Sequence, residues 1–441
     1  NQNVDSITIN SLGFRGDEFF TIKPSDTYRI FMIGGSTMFG VGATSDKTTI
    51  PGHLQYILNE KNFGFDIEVI NSGIQGASSS TELNLIKQKL VRFSPDLIII
   101  YDGWNDLREN NTPTEVKENW KTICELGKEN DFDAIIAGTE KITQSVMEAG
   151  SNLKMISRVG IGLDSVDLLE AKKRGIVVSH TPEAPAPAVA ELTLGFMLTL
   201  IRSAHVSNSE MHNGQWHRCY LGRRLSEVTI GIVGVGRIGS MVLRHLHGFE
   251  SPRVLVNDIF PNRSLDHEFN IKWVDKEEIF LNADIISIHA PLTAQTKNMV
   301  RKEQLLSMKK DAVIINTARG GIINEGDLAK ALKENKISGA ALDVFETEPL
   351  PEYSPLVSAP NIILTPHLGA STKEAKEGVS TSICNQIKNF LIDEDLENAI
   401  NVPFQNSSQL KEMAPFLHLS GELGSIHSQI SNGPITKVDI N

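Results

Sequence analysis

The chain contains little cysteine, few aromatic residues and no long apolar run. Its 441 residues include three cysteines and 6% aromatic residues. The cysteines, Cys124, Cys219 and Cys384, lie far apart and form no Cys-x-x-Cys pair. This spacing excludes a disulfide scaffold and a zinc finger, and it indicates a reducing compartment, which we expect to be the cytoplasm. No metal site is predicted.

Nothing in the sequence predicts a membrane span, an export signal or a nucleic-acid site. The most apolar helix-like run, 188–201, is shorter than the ~20 residues that a bilayer requires, and we interpret it as a buried helix. The polar segment 1–5 lacks the apolar core of a signal peptide. With 42 Lys and Arg against 54 Asp and Glu, the net charge of −12 disfavours binding to phosphate backbones. We therefore expect a small-molecule partner.

Strand-like and helix-like segments alternate along most of the chain. Short apolar runs predict strands at 28–33, 67–70, 97–101, 133–137, 154–157, 228–233, 253–258, 285–289, 312–316 and 339–343. Such alternation is typical of α/β folds, in which helical crossovers join parallel strands. The length predicts two to four domains, at roughly 100–200 residues for each domain.

A glycine-rich turn follows one of these predicted strands. The pattern G-x-G-x-x-G occupies Gly234, Gly236 and Gly239, with Arg237 and Ile238 inside it. A helix-like segment comes next, and a second strand ends in Asp258. This context predicts a dinucleotide site in which the helix N-terminus faces the pyrophosphate. Because the charge of Asp258 would repel a 2′-phosphate, the sequence favours NAD over NADP.

Charged side chains follow three further predicted strands. Arg319 comes after the first of them, Asp343 and Glu348 after the second, and His367 after the third. The carboxyl ends of parallel strands meet at one edge of a sheet, so we expect these groups to converge on the nicotinamide. A cation that holds a carboxylate and a carbonyl, together with a histidine oriented by a carboxylate, suits proton and hydride transfer.

Residues 133–400 resemble the NAD-dependent D-2-hydroxyacid dehydrogenases. The resemblance depends on six ordered motifs, at 159–164, 234–239, 287–293, 316–321, 343–349 and 365–372. It implies that Arg319 binds the carboxylate and carbonyl of the substrate, that His367 is the general acid/base and that Glu348 is its partner. It places the substrate-carboxylate loop at 157–162, including Arg158, Val159 and Gly160. It also implies cofactor contacts for Thr181, His289, Ala290, Pro291, Ala318 and Asp343.

The resemblance implies oxidation of a D-2-hydroxyacid, and 3-phosphoglycerate, whose oxidation begins serine biosynthesis, is the expected substrate. A homodimer or larger homo-oligomer is expected, with the helix near 188–203 contributing. Many family members hold a substrate phosphate with an Arg-Ser pair, and Ala137 and Gly138 stand there instead. A reductase of glyoxylate or hydroxypyruvate is therefore the alternative enzyme. A NAD-sensing protein without turnover is the alternative from another functional class.

The expected architecture is a Rossmann NAD-binding domain, 209–375, inserted in a flavodoxin-like substrate domain, 133–208 and 376–398. The tail, 399–441, is expected to be the start of a truncated C-terminal regulatory region. A partial SGNH-like α/β segment, 1–132, is expected to precede the substrate domain.

Residues 1–132 resemble the SGNH hydrolases. The nucleophile block contains Ser36, the glycine block contains Gly73 and the asparagine block contains Asn105. The resemblance implies an oxyanion hole formed by the N–H groups of Ser36 and Gly73 and the side chain of Asn105. However, the Asp-x-x-His pattern of the last block occurs nowhere in the chain. We therefore interpret the segment as a structural relic rather than an esterase.

The two resemblances meet between a predicted helix, 114–130, and the predicted strand 133–137. Two interpretations fit this seam. The chain is a fused protein in which one parallel sheet continues across the seam, or it joins two gene fragments that do not fold together. The second interpretation is favoured, because we expect ends to be missing at both termini.

Overall fold

The computed structural model describes residues 7–40, 43, 45–59, 64–101, 134–138, 141–150, 153–390, 395–402, 415–416 and 419–420. The chain forms two compact units. The first unit comprises Asn1–Val159, Ser165–His180 and Thr381–Asn441, and the second comprises Gly160–Asp164 and Thr181–Ser380. The predicted helix 114–130 and Asn105 lie outside the described residues.

The first unit is built on a six-stranded parallel sheet with the order β2-β1-β3-β4-β5-β6. Its strands are β1 (Thr27–Gly34), β2 (Asp66–Gly73), β3 (Leu97–Tyr101), β4 (Ala134–Ala137), β5 (Met155–Arg158) and β6 (Val177–His180). Its helices are α1 (Ser36–Phe39), α2 (Ile50–Asn59), α3 (Ser79–Leu85), α4 (Gln144–Ala149) and α5 (Leu168–Lys173). The strand order is that of flavodoxin-like folds, so the predicted flavodoxin-like character is confirmed.

The second unit is built on a seven-stranded parallel sheet with the order β13-β12-β11-β10-β7-β8-β9. Its strands are β7 (Thr229–Val233), β8 (Arg253–Asn257), β9 (Ile271–Trp273), β10 (Ile285–Ile288), β11 (Val313–Asn316), β12 (Gly339–Leu342) and β13 (Ile362–Leu364). The helices are α6 (Ala186–Ile201), α7 (Ala204–His212), α8 (Arg237–His247), α9 (Lys276–Asn282), α10 (Lys302–Ser307), α11 (Glu325–Lys333) and α12 (Lys373–Lys388), whose last part belongs to the first unit. The strand order reverses between β7 and β10, where doubly wound sheets bind ligands at their carboxyl ends.

The sheet of the first unit continues across the seam between the two resemblances. Strands β3 and β4 pair in parallel through one registered pair, Ile100 with Ile135, whereas β1 and β2 pair along eight residues. Helix α12 contacts α2, because the thiol of Cys384 donates to the carbonyl oxygen of Ile50 at 3.3 Å. The structure therefore joins both segments in one unit, as the first interpretation of the seam requires.

Gln386 of α12 ties this helix to strands β5 and β6. Its Oε1 accepts hydrogen bonds from the hydroxyls of Ser157 at 2.9 Å and Ser179 at 2.8 Å. Its Nε2 donates to the carbonyl oxygen of His180 at 2.8 Å. All three side chains that take part, those of Ser157, Ser179 and Gln386, are buried. This polar network holds the last part of α12, which belongs to the first unit, against β5 and β6.

Helix α6 lies in the second unit, although we expected it in the substrate domain. Its apolar side chains, among them Ala190 and Met197, share a hydrophobic core with Ile232 of β7. This packing corrects the predicted boundaries of the NAD-binding domain. The structure places the first boundary at 180/181 instead of 208/209, and the second at 380/381 instead of 375/376.

In the described part of the chain no single helix is long and apolar enough to cross a membrane. Only α6 and α7 together, bent by 68°, meet the length and composition criteria.

Candidate active site

The glycine-rich turn joins β7 to α8 in the predicted geometry. Gly234 has a φ of +93°, and a Cβ there would lie 2.7 Å from the carbonyl carbon of His289. A Cβ at Gly239 would overlap the carbonyl oxygen of Gly234, so these two positions require glycine. At Gly236, the N-cap of α8, a Cβ would have no neighbour within 4 Å. The turn therefore leaves room for a pyrophosphate at the helix N-terminus.

Asp258 follows β8 and is fixed beside this turn. One carboxylate oxygen accepts a hydrogen bond from the N–H of Val235 at 2.7 Å. The other accepts from the N–H of Phe260 at 2.8 Å. Since each carboxylate oxygen can accept more than one hydrogen bond, both remain able to bind ribose hydroxyls. The geometry therefore fits an adenosine ribose.

The other residues expected at the cofactor belong to the second unit. Burial lowers the pKa of His289 to about 4, so its ring is neutral at pH 7. The His289 Nε2 and the Ser287 hydroxyl share a hydrogen bond of 2.9 Å. Arg237 forms an ion pair with Glu183 at 2.6 Å. Thr181 and Ala318 are buried, and Ile238, Ala290 and Pro291 lie in α8 and in the segment after β10.

His367 and Glu348 form a hydrogen-bonded pair after β13 and β12. The Nδ1 of His367 lies 2.7 Å from the Oε2 of Glu348, and the Oε1 of Glu348 accepts from the N–H of Phe345 at 2.9 Å. Burial acts to raise the pKa of Glu348, but the hydrogen bond and charge of His367 outweigh it and hold that pKa below its ordinary value. An ionised Glu348 thus orients the imidazole through Nδ1 and leaves Nε2 for proton transfer.

Asp343 holds the loop that carries His367. Its carboxylate accepts hydrogen bonds from the Thr365 hydroxyl at 2.5 Å and from the N–H groups of Leu368 and Gly369, each at 2.7 Å. Its carbonyl oxygen accepts from the N–H of His367 at 3.0 Å. His367 has a φ of +53°, which is rare for a residue with a side chain. Sequence reasoning expected a cofactor contact at Asp343, and the structure adds these hydrogen bonds to the loop.

Arg319 follows β11 and is held by two contacts. Its Nε donates to the Oδ1 of Asp164 at 2.9 Å, and its Nη1 donates to the carbonyl oxygen of Ala318 at 2.7 Å. The charge of Arg319 also contributes to lowering the pKa of Glu348. The second unit therefore brings together the predicted set of Arg319, Glu348 and His367.

The substrate loop is divided between the units. Gly160 lies in the second unit, where its N–H donates to the Thr181 hydroxyl at 2.7 Å. Arg158 ends β5 in the first unit and is buried. Val159 also belongs to the first unit, and its N–H donates to the carbonyl oxygen of Ala137 at 2.8 Å.

Comparison with known proteins decides the family. Residues 194–369 match the family described as D-isomer specific 2-hydroxyacid dehydrogenase, NAD binding domain. The chain is 42% identical to a glyoxylate reductase of Thermofilum pendens, over 56% of this chain and 75% of the relative. The chain belongs to the D-2-hydroxyacid dehydrogenase family. Its second unit thus contains the NAD-binding domain of that family, as predicted.

Other relatives of this chain are longer. It is 38% identical to the D-3-phosphoglycerate dehydrogenase of Methanocaldococcus jannaschii, over 72% of this chain and 60% of that protein. The chain spans between 56% and 64% of the length of four such relatives. Among solved structures, a glyoxylate reductase from Paecilomyes thermophila has a TM-score of 0.60 at 28% identity, covering 64% of this chain and 88% of that chain.

The N-terminal part of the chain has a second relationship. Residues 32–185 match the GDSL-like Lipase/Acylhydrolase family, which confirms the SGNH-like resemblance. Ser36 begins α1, and the N–H of Gly73 at the end of β2 donates to the side chain of Asn71 at 3.0 Å. One expected donor of the oxyanion hole, the N–H of Gly73, is therefore already hydrogen-bonded within the protein.

Among the described residues, no cluster of His, Cys, Asp or Glu is suited to hold a metal ion.

Proposed function

We propose that this chain catalyses the NAD-dependent oxidation of D-3-phosphoglycerate to 3-phosphohydroxypyruvate. The observation that carries the proposal is the His367–Glu348 pair, held at 2.7 Å in the same unit as Arg319 and the glycine turn. Four relatives between 33% and 38% identical are D-3-phosphoglycerate dehydrogenases, which supports this substrate. The reaction would be the first step of serine biosynthesis.

The side chains divide the chemistry among them. NAD, when bound, supplies the acceptor for the hydride that leaves C2 of the substrate. His367 takes the proton of the C2 hydroxyl at Nε2, and the ionised Glu348 stabilises the resulting imidazolium through Nδ1. Arg319 holds the substrate carboxylate and stabilises the oxygen that becomes the carbonyl. In the reverse direction, His367 returns the proton to that oxygen.

A reductase of glyoxylate or hydroxypyruvate is the second candidate. Ala137, which stands where many family members carry the arginine of the phosphate site, is fully buried at the end of β4. The 42% identity to a glyoxylate reductase favours the same alternative. Neither observation requires a phosphorylated substrate.

Initial-rate kinetics separate the candidates. NADH formation is measured with D-3-phosphoglycerate and D-glycerate, and NADH consumption with glyoxylate and hydroxypyruvate. We expect kcat/KM to be at least about 100-fold higher for D-3-phosphoglycerate than for D-glycerate, because a phosphate contact is worth several kcal/mol. A higher value for the unphosphorylated acids supports the reductase instead. NADH binding without turnover of any acid would favour the NAD-sensing alternative.

We also infer a homodimer in the cytoplasm. Large apolar side chains are exposed in α7 and in the segment after it, including Met211, Trp216 and Leu221. Exposed apolar residues in one segment are typical of protein–protein interfaces. Sedimentation velocity is expected to show a dimer, and Trp216→Glu combined with Leu221→Glu is expected to shift it toward monomer.

A further inference from the structure

We propose that Asp164 is a positioning residue that fixes the guanidinium orientation of Arg319, and that Gly162 provides the space for this arrangement. The inference rests on the proposed function, because it assigns Asp164 a task in binding the 2-hydroxyacid. Asp164 acts through Arg319 and has no part in proton or hydride transfer.

Two contacts define the plane of the guanidinium. Asp164 Oδ1 accepts from Nε of Arg319 at 2.9 Å, and the carbonyl oxygen of Ala318 accepts from Nη1 at 2.7 Å. A guanidinium is planar and carries five N–H bonds, so contacts at two different nitrogens fix its orientation. The other N–H bonds remain to bind a carboxylate and a carbonyl oxygen. With a contact at Nη1 alone, the plane of the guanidinium would remain free to rotate about the bonds of the arginine side chain.

Gly162 lies directly against the guanidinium. A Cβ at this position would overlap Nη2 and Cζ of Arg319, and it would lie 2.8 Å from Oδ1 of Asp164. Any side chain at residue 162 would therefore displace Arg319, Asp164 or both. The close approach of the backbone to Arg319 therefore requires glycine at residue 162, whatever the geometry of the turn.

The loop that carries Asp164 is anchored to the unit that carries Arg319. Gly160–Asp164 belongs to the second unit, although the chain on both sides of it belongs to the first unit. Gly160 and Thr181 exchange two hydrogen bonds, from Gly160 N–H to the hydroxyl at 2.7 Å and from Thr181 N–H to the carbonyl oxygen at 3.1 Å. The contact between Asp164 and Arg319 is thus internal to one compact unit.

The exposure of the pair argues against a mainly stabilising role. The side chains of Arg319 and Asp164 are 25% and 47% exposed. Ion pairs with this much access to water contribute little to folding. Substitution of Asp164 is therefore expected to change catalysis while leaving the folded state intact.

The test compares Asp164→Ala with Asp164→Asn in the full chain, using the best acid from the substrate panel. We expect Asp164→Ala to lower kcat/KM about 10- to 100-fold, with a raised KM and a lowered kcat, because a misplaced binding group costs this much. Asp164→Asn keeps an acceptor for Nε and is expected to stay within about threefold of wild type. NADH affinity and the thermal midpoint are expected to be unchanged in both variants.

A matched control and a second background isolate the role of Asp164. Asp167 lies three residues further along and caps α5 by accepting from the N–H of Glu170 at 3.0 Å. Asp167→Ala is expected to lower stability without changing kcat/KM. In an Arg319→Lys background, Asp164→Ala is expected to have little additional effect, because lysine has no planar guanidinium for Asp164 to orient.

The outcomes distinguish this inference from the proposed function. If the wild type turns over an acid but Asp164→Ala has unchanged kinetics, the inference is wrong and the proposed function stands. An equal loss in the wild-type and Arg319→Lys backgrounds would also overturn it, because Asp164 would then act independently of Arg319. A wild type that turns over no acid contradicts the proposed function itself.

Discussion

Replacing Gln386 by methionine tests whether the buried network of the first unit holds its strands together. Methionine has a similar length but offers neither the amide donor nor the amide acceptor. The hydroxyls of Ser157 and Ser179 lie 3.2 Å apart, so one of them can still donate to the other. The second hydroxyl, which is buried, then loses the acceptor that Gln386 supplies.

The magnitude follows from this one lost acceptor. Leaving a buried polar group unsatisfied costs about 1–3 kcal/mol, so Gln386→Met is expected to destabilise β5 and β6 by about 1–3 kcal/mol. Because every 1.4 kcal/mol is tenfold, the protection of their amides against hydrogen exchange is expected to fall by between about 5-fold and about 140-fold. The amides of β7 and β11 in the second unit serve as an internal reference.

Hydrogen exchange measured by mass spectrometry on the full chain resolves the effect. The control variant combines Gln386→Met with Ser157→Ala and Ser179→Ala, which removes both hydroxyls and is expected to recover much of the protection. If Gln386→Met keeps the protection of β5 and β6 within threefold of wild type, the network does not hold these strands and the reasoning fails.

Three further predictions concern the second unit. Because the pKa of Glu348 is lowered on folding, its carboxylate contributes stability above its ordinary pKa, and this stability is lost as pH falls through the folded pKa. Glu348→Gln should therefore lose less thermal stability than the wild type when the pH is lowered. Its kcat should be lower by about 10²-fold or more. A Cβ at Gly320 would overlap the carbonyl oxygen of Phe345, so Gly320→Ala should destabilise by about 1–3 kcal/mol, whereas Gly326→Ala, with an ordinary contact, should not. Asp258→Ser should raise kcat/KM with NADP relative to NAD by about tenfold, and an unchanged ratio would contradict the role of Asp258.

The glycine turn and the charged residues were predictable because their signals are local. Gly234 and Gly239 meet backbone atoms within a few residues or at the neighbouring strand, and His367 and Glu348 each follow a strand that its own apolar run predicts. Parallel strands then bring such residues to one edge of the sheet. The sequence was therefore sufficient to predict that the charged residues follow neighbouring strands of one sheet, and the roles assigned to them stay predictions.

The features that were missed depend on pairings between distant segments. Asp164 and Arg319 are 155 residues apart in the chain, and nothing local to either residue predicts their contact. The position of Asp343 after a strand predicts that it lies near the His367 loop, but not that its carboxylate accepts from the N–H groups of Leu368 and Gly369. The placement of α6 was wrong because apolar periodicity shows that a helix is buried but not which sheet it packs against.

The continuation of the sheet across the seam was one of two open interpretations for a similar reason. Strand β4 has four residues, and the periodicity of so short an apolar run does not identify its neighbours. The structure pairs it with β3 on one side and β5 on the other.

The most direct test of the proposed dehydrogenase is NADH formation followed at 340 nm with D-3-phosphoglycerate, for the wild type beside His367→Ala. We predict steady NADH formation by the wild type and a rate lower by at least about 10²-fold for His367→Ala, with NADH binding retained in both. Equal rates in the two proteins would contradict the assignment of His367 as the acid/base. A wild type that binds NADH but oxidises neither this acid nor an unphosphorylated 2-hydroxyacid would contradict the function itself.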